Sequence, residues 1–327
     1  MSKKIVAIAM GGYSSEFEIS LKSGEVVYQA IDKTKYEVYR VHILENNWYY
    51  ILPDGRKAAV DKKSFGCSYK GNTITPDVVF NTIHGTPGED GMLACYLDLI
   101  GIPQTSADFY QAALSFNKRD CLSVLKKMGV KCANSIYINK GDVIDTKEII
   151  KTVGLPFFVK PNRAGSSFGI SRVQRAEMLP EALLEAYKED TEVLIESELV
   201  GIEVSVGAFT NKGQIQVLNP TEIVSENDFF DYEAKYQGKS QEITPARISD
   251  KDKKAVQQVT KQIYKLLKMN GVTRSDFIIQ DGIPYFIEIN TTPGLSKESI
   301  IPKQLEDAQI TLTAFFTMLI NDAIVRA

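Results

Sequence analysis

Histidine is almost missing from this chain: His42 and His84 are the only two in 327 residues. That excludes a histidine-rich metal site and leaves little for a hydrolase triad, whose base is usually histidine. Cysteine is nearly as scarce. Cys67, Cys95, Cys121 and Cys132 are scattered with no CxxC pair, as expected of free thiols in a reducing cytoplasm rather than disulfides or zinc ligands. No run approaches the ~18 apolar residues of a membrane span. Neither charge dominates, with 38 Lys and Arg against 41 Asp and Glu, which argues against a nucleic-acid surface. The nucleotide motifs GxGxxG and GxxxxGK[ST] are both lacking. There is no internal repeat and no low-complexity segment.

What is present is an ordinary globular composition, 44% hydrophobic, in a chain long enough for two or three domains. The N-terminal run Ile5-Val6-Ala7-Ile8-Ala9-Met10-Gly11 superficially resembles a signal peptide. The polar, acidic residues 12–18 that follow offer no cleavage site, so a first buried strand is the better reading. Strands are expected at 4–10, 37–43 and 77–83, with helices at 17–31 and 90–99, an alternation that implies an open parallel sheet. Residues 46–60 read as an inserted hairpin. Beyond a boundary at Gly101-Ile102-Pro103, helices are expected at 107–115, 118–128, 176–187, 250–269 and 310–323. Strands are expected at 135–138, 157–160, 169–173, 193–196, 203–209 and 214–218. Residues 198–201 read as a hinge, and 225–247 as a long irregular loop of the functional kind.

Two segments near the C-terminus carry the chemistry. Thr273-Arg274-Ser275-Asp276-Phe277-Ile278-Ile279 and Phe286-Ile287-Glu288-Ile289-Asn290 read as paired strands around Asp281-Gly282. A three-residue loop, Gln280-Asp281-Gly282, would set Ile279 opposite Ile283. Alternation then puts Phe277, Ile279, Ile283, Tyr285, Ile287 and Ile289 on an apolar face, and Arg274, Asp276, Glu288 and Asn290 on the other. Three hard oxygen donors without His or Cys suit Mg2+ rather than zinc. The plainer alternative is a solvated face with an Arg274–Glu288 ion pair.

Other loops have a similar double reading. Lys160 ends a strand ahead of Gly165-Ser166-Ser167, whose backbone N–H groups would surround phosphate oxygens, or simply form a turn. Ser15 and Glu18 fit a capping box, which places Glu16 in the first turn of a helix. There it either complements the helix dipole or grips a substrate ammonium. His84 is either satisfied by backbone at a strand end or part of a site. Residues 231–236, Asp-Tyr-Glu-Ala-Lys-Tyr, are either a charged surface loop or a lid.

Together these segments resemble the D-alanine–D-alanine ligases of the ATP-grasp superfamily. The likeness covers nearly the whole chain. It runs through Gly-Gly-x-Ser-x-Glu at 11–16, His84-Gly85 with Gly88-Glu89-Asp90-Gly91, Lys160-Pro161 with Gly165-Ser166-Ser167, and Val193-Leu194-Ile195-Glu196. It continues through residues 231–236, Arg274-x-Asp276 and Glu288-x-Asn290-x-x-Pro293-Gly294. The resemblance implies an α/β chain (α+β overall) of three domains. These are an N-terminal substrate domain with an open parallel sheet (1–103), a central ATP-grasp subdomain (104–198) and a C-terminal one bearing the metal site (199–327). ATP would lie between the last two.

By the same resemblance, Lys118 and Lys160 hold ATP phosphates, and Lys235 also contacts the nucleotide. Glu196 and Leu199 meet adenine, and Glu203 the ribose. Asp276, Glu288 and Asn290 bind two Mg2+ ions, for which Mn2+ can substitute. Glu16 positions the first D-alanine's ammonium with Ser166 and Tyr236 hydrogen-bonded to it. His84 lies near that substrate's carboxylate, and Ser299 binds the carboxylate of the second. Arg274 and the Gly294 N–H hold the oxyanion. The implied reaction ligates two D-alanines through an acyl phosphate for peptidoglycan precursors, in a cytoplasmic homodimer without nucleic-acid or membrane partners. Three departures from the family pattern stand out: Phe17 in place of Arg, Thr86-Pro87, and Phe168 in place of Val; the last borders the phosphate loop. The rivals are another ATP-grasp carboxylate–amine ligase, a D-alanine–D-lactate ligase, or a nucleotide-binding protein without turnover. Glu16, Tyr236 and Ser299 together discriminate against the first. Tyr236 is the residue type that accompanies alanine rather than lactate.

Overall fold

The structure, a computed structural model, describes residues 3–165, 168–225 and 240–326. Three main sheets follow one another along the chain. The first contains β1 (Lys4–Gly11), β2 (Tyr36–Ile43), β3 (Trp48–Ile51), β4 (Lys57–Ala59) and β7 (Val78–Asn81), in the order β4-β3-β2-β1-β7. β1 pairs in parallel with β2 and β7, while β3 and β4 extend one edge antiparallel. β1 is an interior strand covered on both faces, which is why it reads as an unbroken apolar run rather than an alternating one. α1 (Phe17–Ala30) and α2 (Met92–Leu99) flank the sheet. A small hairpin, β5 (Cys67–Tyr69) with β6 (Asn72–Ile74), was not anticipated from the sequence.

α3 (Phe109–Phe116) and α4 (Lys118–Lys127) lead to the second sheet. It contains β8 (Ser135–Asn139), β9 (Phe157–Pro161), β10 (Ser171–Val173) and β11 (Glu192–Ser197), all antiparallel, in the order β10-β9-β11-β8. α5 (Thr146–Val153) and α6 (Leu179–Glu189) cover it. The buried residues of α6, Leu179, Ala182, Leu183 and Ala186, follow helical spacing and make one apolar stripe.

The third sheet holds β12 (Ile202–Asn211), β13 (Gln214–Val217), β14 (Thr221–Ser225), β15 (Ser240–Ile243), β16 (Val272–Gln280) and β17 (Ile283–Asn290). Its order is β15-β14-β12-β16-β17, with β13 also on β12. α7 (Asp250–Leu266) packs on it through Val256, Thr260, Ile263 and Tyr264. α8 (Ile300–Asp307) and α9 (Leu312–Arg326) end the chain. α9 lies between the first and third sheets, with Phe316 5.3 Å from Phe80 and Phe315 5.0 Å from Phe209 between ring centroids. Among the described residues no single helix is long and apolar enough to cross a membrane. The four cysteines are free.

Several expectations need correction. The expected irregular segment 225–247 contains β15, paired with β14, and its residues 226–239 lie outside the described residues. The cap of α1 is not Ser15: Glu16 occupies the N-cap, and no side chain caps the helix. The β16–β17 hairpin closes on two residues, Asp281 and Gly282, both at positive φ, with Gln280 opposite Ile283. Ile279 therefore faces Pro284. A bulge between Asp276 and Phe277 then shifts the pairing. Ile283 and Tyr285 leave the expected apolar face; Pro284 and Phe286 replace them. Ile287 lines the cavity described below.

Phe277 and Phe286 are directly paired and buried, their rings edge-to-face at 5.8 Å. Phe277→Ala should therefore cost about 3–5 kcal/mol, as large-to-small changes in a packed core do. Urea unfolding measures it; an unchanged midpoint would show that this pair is not part of the core.

Candidate active site

A cavity of about 830 Å3 opens where the loops of the first sheet meet the second and third sheets. Every sequence-derived candidate within the described residues lines it: Glu16 and His84; Lys118, Lys160, Glu196, Leu199 and Glu203; Arg274, Asp276, Glu288 and Asn290; Gly294 and Ser299. Ser166, Lys235 and Tyr236 lie outside the described residues.

The bulge in the hairpin restores what its tighter turn displaced. Asp276 is paired with Glu288 and Arg274 with Asn290, so all four groups reach the same cavity. Arg274 Nε lies 2.9 Å from Asp276 Oδ1, and its Nη2 2.7 Å from Oδ2. Burial alone would push this guanidinium down, but the Asp276 charge outweighs it and raises its proton affinity. Ser205 Oγ donates to Asp276 Oδ1 at 2.6 Å, and Asn290 Nδ2 to Oδ2 at 3.4 Å. Lys118 Nζ reaches Glu288 at 3.3 Å and the Ala164 carbonyl at 2.8 Å.

On the opposite wall Lys160 Nζ donates to Glu196 Oε2 at 2.9 Å. Burial lowers the Lys160 pKa, but Glu196, then Glu288 and Glu203, more than offset this, so the ammonium keeps its charge. Leu199 and Glu203 follow on the β11–β12 connection and the start of β12. The Gly165 backbone crosses directly over Glu16: a Cβ there would fall 2.5 Å from Glu16 Oε2. Ser299 is the N-cap of α8, with Ser296 Oγ 2.9 Å from its hydroxyl, and a Cβ on Gly294 would lie 2.7 Å from that hydroxyl.

The donor set fits a hard divalent cation. Two carboxylates stand directly opposite on neighbouring strands with an amide beside them. Like charges so placed repel unless positive charge comes between or beside them. Among the described residues no group of three His, Cys, Asp or Glu is placed to hold a metal; the donors here are two carboxylates and one carboxamide, an oxygen-only set.

Sequence reasoning gave no role to Ser205 or Glu89. Ser205 pairs with Asp276 in register and alternates with Glu203 along a largely buried strand; polar residues two apart in such a strand were the available signal. Glu89 lay within a quoted motif. It is buried, and accepts hydrogen bonds from Gly85 N–H at 2.8 Å and Thr292 N–H at 3.3 Å. Burial and then the charge of Glu16 push its carboxyl up to about 8. His84 is also buried, with Nε2 3.4 Å from Ser23 Oγ and a hydrogen bond to the Thr292 backbone. Its ring is thus satisfied by the protein while lining the cavity.

Two family models match the sequence: the D-ala D-ala ligase N-terminus over residues 5–107 and the D-ala D-ala ligase C-terminus over 124–321. The chain belongs to the D-alanine–D-alanine ligase family. Among its relatives, the D-alanine–D-alanine ligase of Flavobacterium johnsoniae is 58% identical over 318 residues, covering 97% of this chain and 98% of the relative. That of Christiangramia forsetii is 54% identical, covering 98% and 99%. Solved ATP-grasp structures of D-Ala ligases superpose on it. The VanG D-Ala:D-Ser ligase from Enterococcus faecalis gives a TM-score of 0.88 at 30% identity, over 98% of this chain and 99% of that one. The D-alanine–D-alanine ligase of Bacillus anthracis complexed with ATP gives 0.78 at 25% identity, over 99% and 98%.

The buried acid in this ligase makes a pH prediction. A carboxyl whose folded pKa is raised favours the folded state fully below its unfolded value of about 4.5, and that contribution is lost as pH rises to about 8. His84 acts oppositely: burial lowers its pKa, so its contribution is present above 6.5 and is lost as pH falls. Glu89→Gln, neutral throughout, should flatten the fall in stability between about 4.5 and about 8. Thermal melts of both proteins across that range test this; parallel curves would rule Glu89 out as the titrating group.

Proposed function

We propose that this chain joins two D-alanines to D-alanyl-D-alanine at the expense of ATP, through an acyl phosphate, to supply peptidoglycan precursors. The observation that carries the reading is the single cavity shared by Lys118, Lys160, Asp276, Glu288 and Asn290 with Glu16 and Ser299. The first group suits a triphosphate, the second an amino acid.

In this reading Glu196 and Leu199 seat the adenine and Glu203 the ribose. Lys118 and Lys160 hold the phosphates, assisted by Lys235. Asp276, Glu288 and Asn290 would hold Mg2+, as one or two ions, or Mn2+ in its place. When bound, the cation supplies positive charge against the triphosphate. Glu16 binds the ammonium of the first D-alanine with Ser166 and Tyr236 in support. His84 forms the wall beside that substrate's carboxylate, which attacks the γ-phosphoryl group. Ser299, at a helix N-terminus, receives the carboxylate of the second D-alanine. Its amine attacks the acyl carbon, and phosphate leaves. Arg274 and the Gly294 N–H stabilise the oxyanion, where one donor typically contributes ~3 kcal/mol. Use of ATP favours the cytoplasm as the place of action. A homodimer belongs to the same proposal, and sedimentation tests it.

Two variants test the assignment. Asp276→Ala should abolish D-alanine-dependent ADP release while the melting curve stays cooperative; full activity would refute the metal role. Gly165→Ala drives a methyl into Glu16 and should raise KM for D-alanine well above any change in KM for ATP. Equal changes in both would place Glu16 elsewhere in the reaction. D-serine and D-lactate offered as competing nucleophiles define the second-substrate preference.

A further inference from the structure

Three buried side chains from the first ninety residues converge on one turn near the end of the chain. The turn spans residues 292–295, just beyond β17. At one end Thr292 N–H donates to Glu89 Oε1 at 3.3 Å, across 203 residues of sequence. The His84 ring also bonds the Thr292 backbone. At the other end Leu295 N–H donates to Ser23 Oγ at 3.2 Å, across 272 residues. The three holders are tied together. Ser23 Oγ lies 3.4 Å from His84 Nε2, and the second oxygen of Glu89 takes the Gly85 N–H at 2.8 Å. Their exposures are 0% for Ser23, 6% for His84 and 8% for Glu89. Gly294 sits between the two held points, packed against Ser299 Oγ.

We propose that Ser23, His84 and Glu89 form a clamp that fixes the direction of the Gly294 N–H, and so complete the oxyanion site from the first sheet's side of the cavity. In this clamp they act as positioning residues: Ser23 and Glu89 need touch no reacting atom, and His84 joins them in addition to its place beside the first substrate's carboxylate. The inference rests on the oxyanion role given to Gly294 above. The physical reason is preorganisation. A backbone donor stabilises a developing charge only if it already points at it, and a turn joined to one strand end alone is free to tilt. Polar groups buried at both ends remove that freedom, because breaking any one of them strands a desolvated donor or acceptor. The third sheet supplies the donors Arg274 and Gly294, and the first supplies the restraint.

The test is the pair Ser23→Ala and Glu89→Gln, made separately in the full chain. Because a misplaced donor slows amine attack, kcat should fall about tenfold to hundredfold while KM for ATP stays within about twofold. The acyl phosphate then waits longer and water takes it, returning D-alanine and phosphate. ADP released per dipeptide should therefore rise above the wild-type ratio. A merely structural loss would lower kcat without changing that ratio. The clamp is overturned if both folded variants keep the wild-type ratio, whatever happens to kcat. If Ser23→Ala does not fold, Glu89→Gln decides by the same ratio. Dipeptide formation by the wild-type chain, measured alongside, checks the ligase reading independently.

Discussion

Asp276 and Glu288 face one another at paired positions of neighbouring strands, and the site is organised around balancing their charge. Left alone they would repel. Arg274 answers one through two nitrogens and Lys118 the other. Lys118 in turn reaches the Ala164 carbonyl beside the Gly-rich loop, and Lys160 across the cavity is balanced by Glu196. The arrangement is costly to bury and costly to disturb, since removing one partner leaves another charge uncompensated.

The strands that carry this cluster were legible because their residues are β-formers around an Asp-Gly turn. Their register was not. The two-residue turn moves the pairing by one, and the bulge beside Asp276 moves it by one more in the same direction, which restores the facing but sets Arg274 opposite Asn290 instead of Glu288. A total shift of two leaves facing unchanged at the charged end, so Arg274, Asp276, Glu288 and Asn290 share one face as expected, while the apolar face nearer the turn changes membership. A bulge leaves no mark in composition; it follows from packing on neighbouring strands.

Other parts were hidden because they depend on distant partners. Ser14 bonds the His84 carbonyl across 70 residues, and Glu16 takes the N-cap of α1 in place of Ser15. Ser205, Ser23 and Glu89 are unremarkable in their own segments and acquire meaning only when β16 or the 292–295 turn arrives beside them. Gln304 is similar: fully buried, it bonds the Gly207 N–H, the Ser205 carbonyl and the Thr221 hydroxyl, anchoring α8 to the third sheet. Motifs showed which groups line the cavity, but not what holds them still.

The placement of α9 has a consequence for how the chain is made. Phe316 closes the core over Phe80 of the first sheet, and Phe315 does the same for Phe209 of the third. A nascent chain can cover β1 and β2 on that face with α1, but the Phe80 side of the sheet at β7 stays uncovered until α9 emerges from the ribosome. Completion of the N-terminal core waits on translation of α9, and a stop before it leaves the β7 edge of that sheet sticky however completely its own strands have paired.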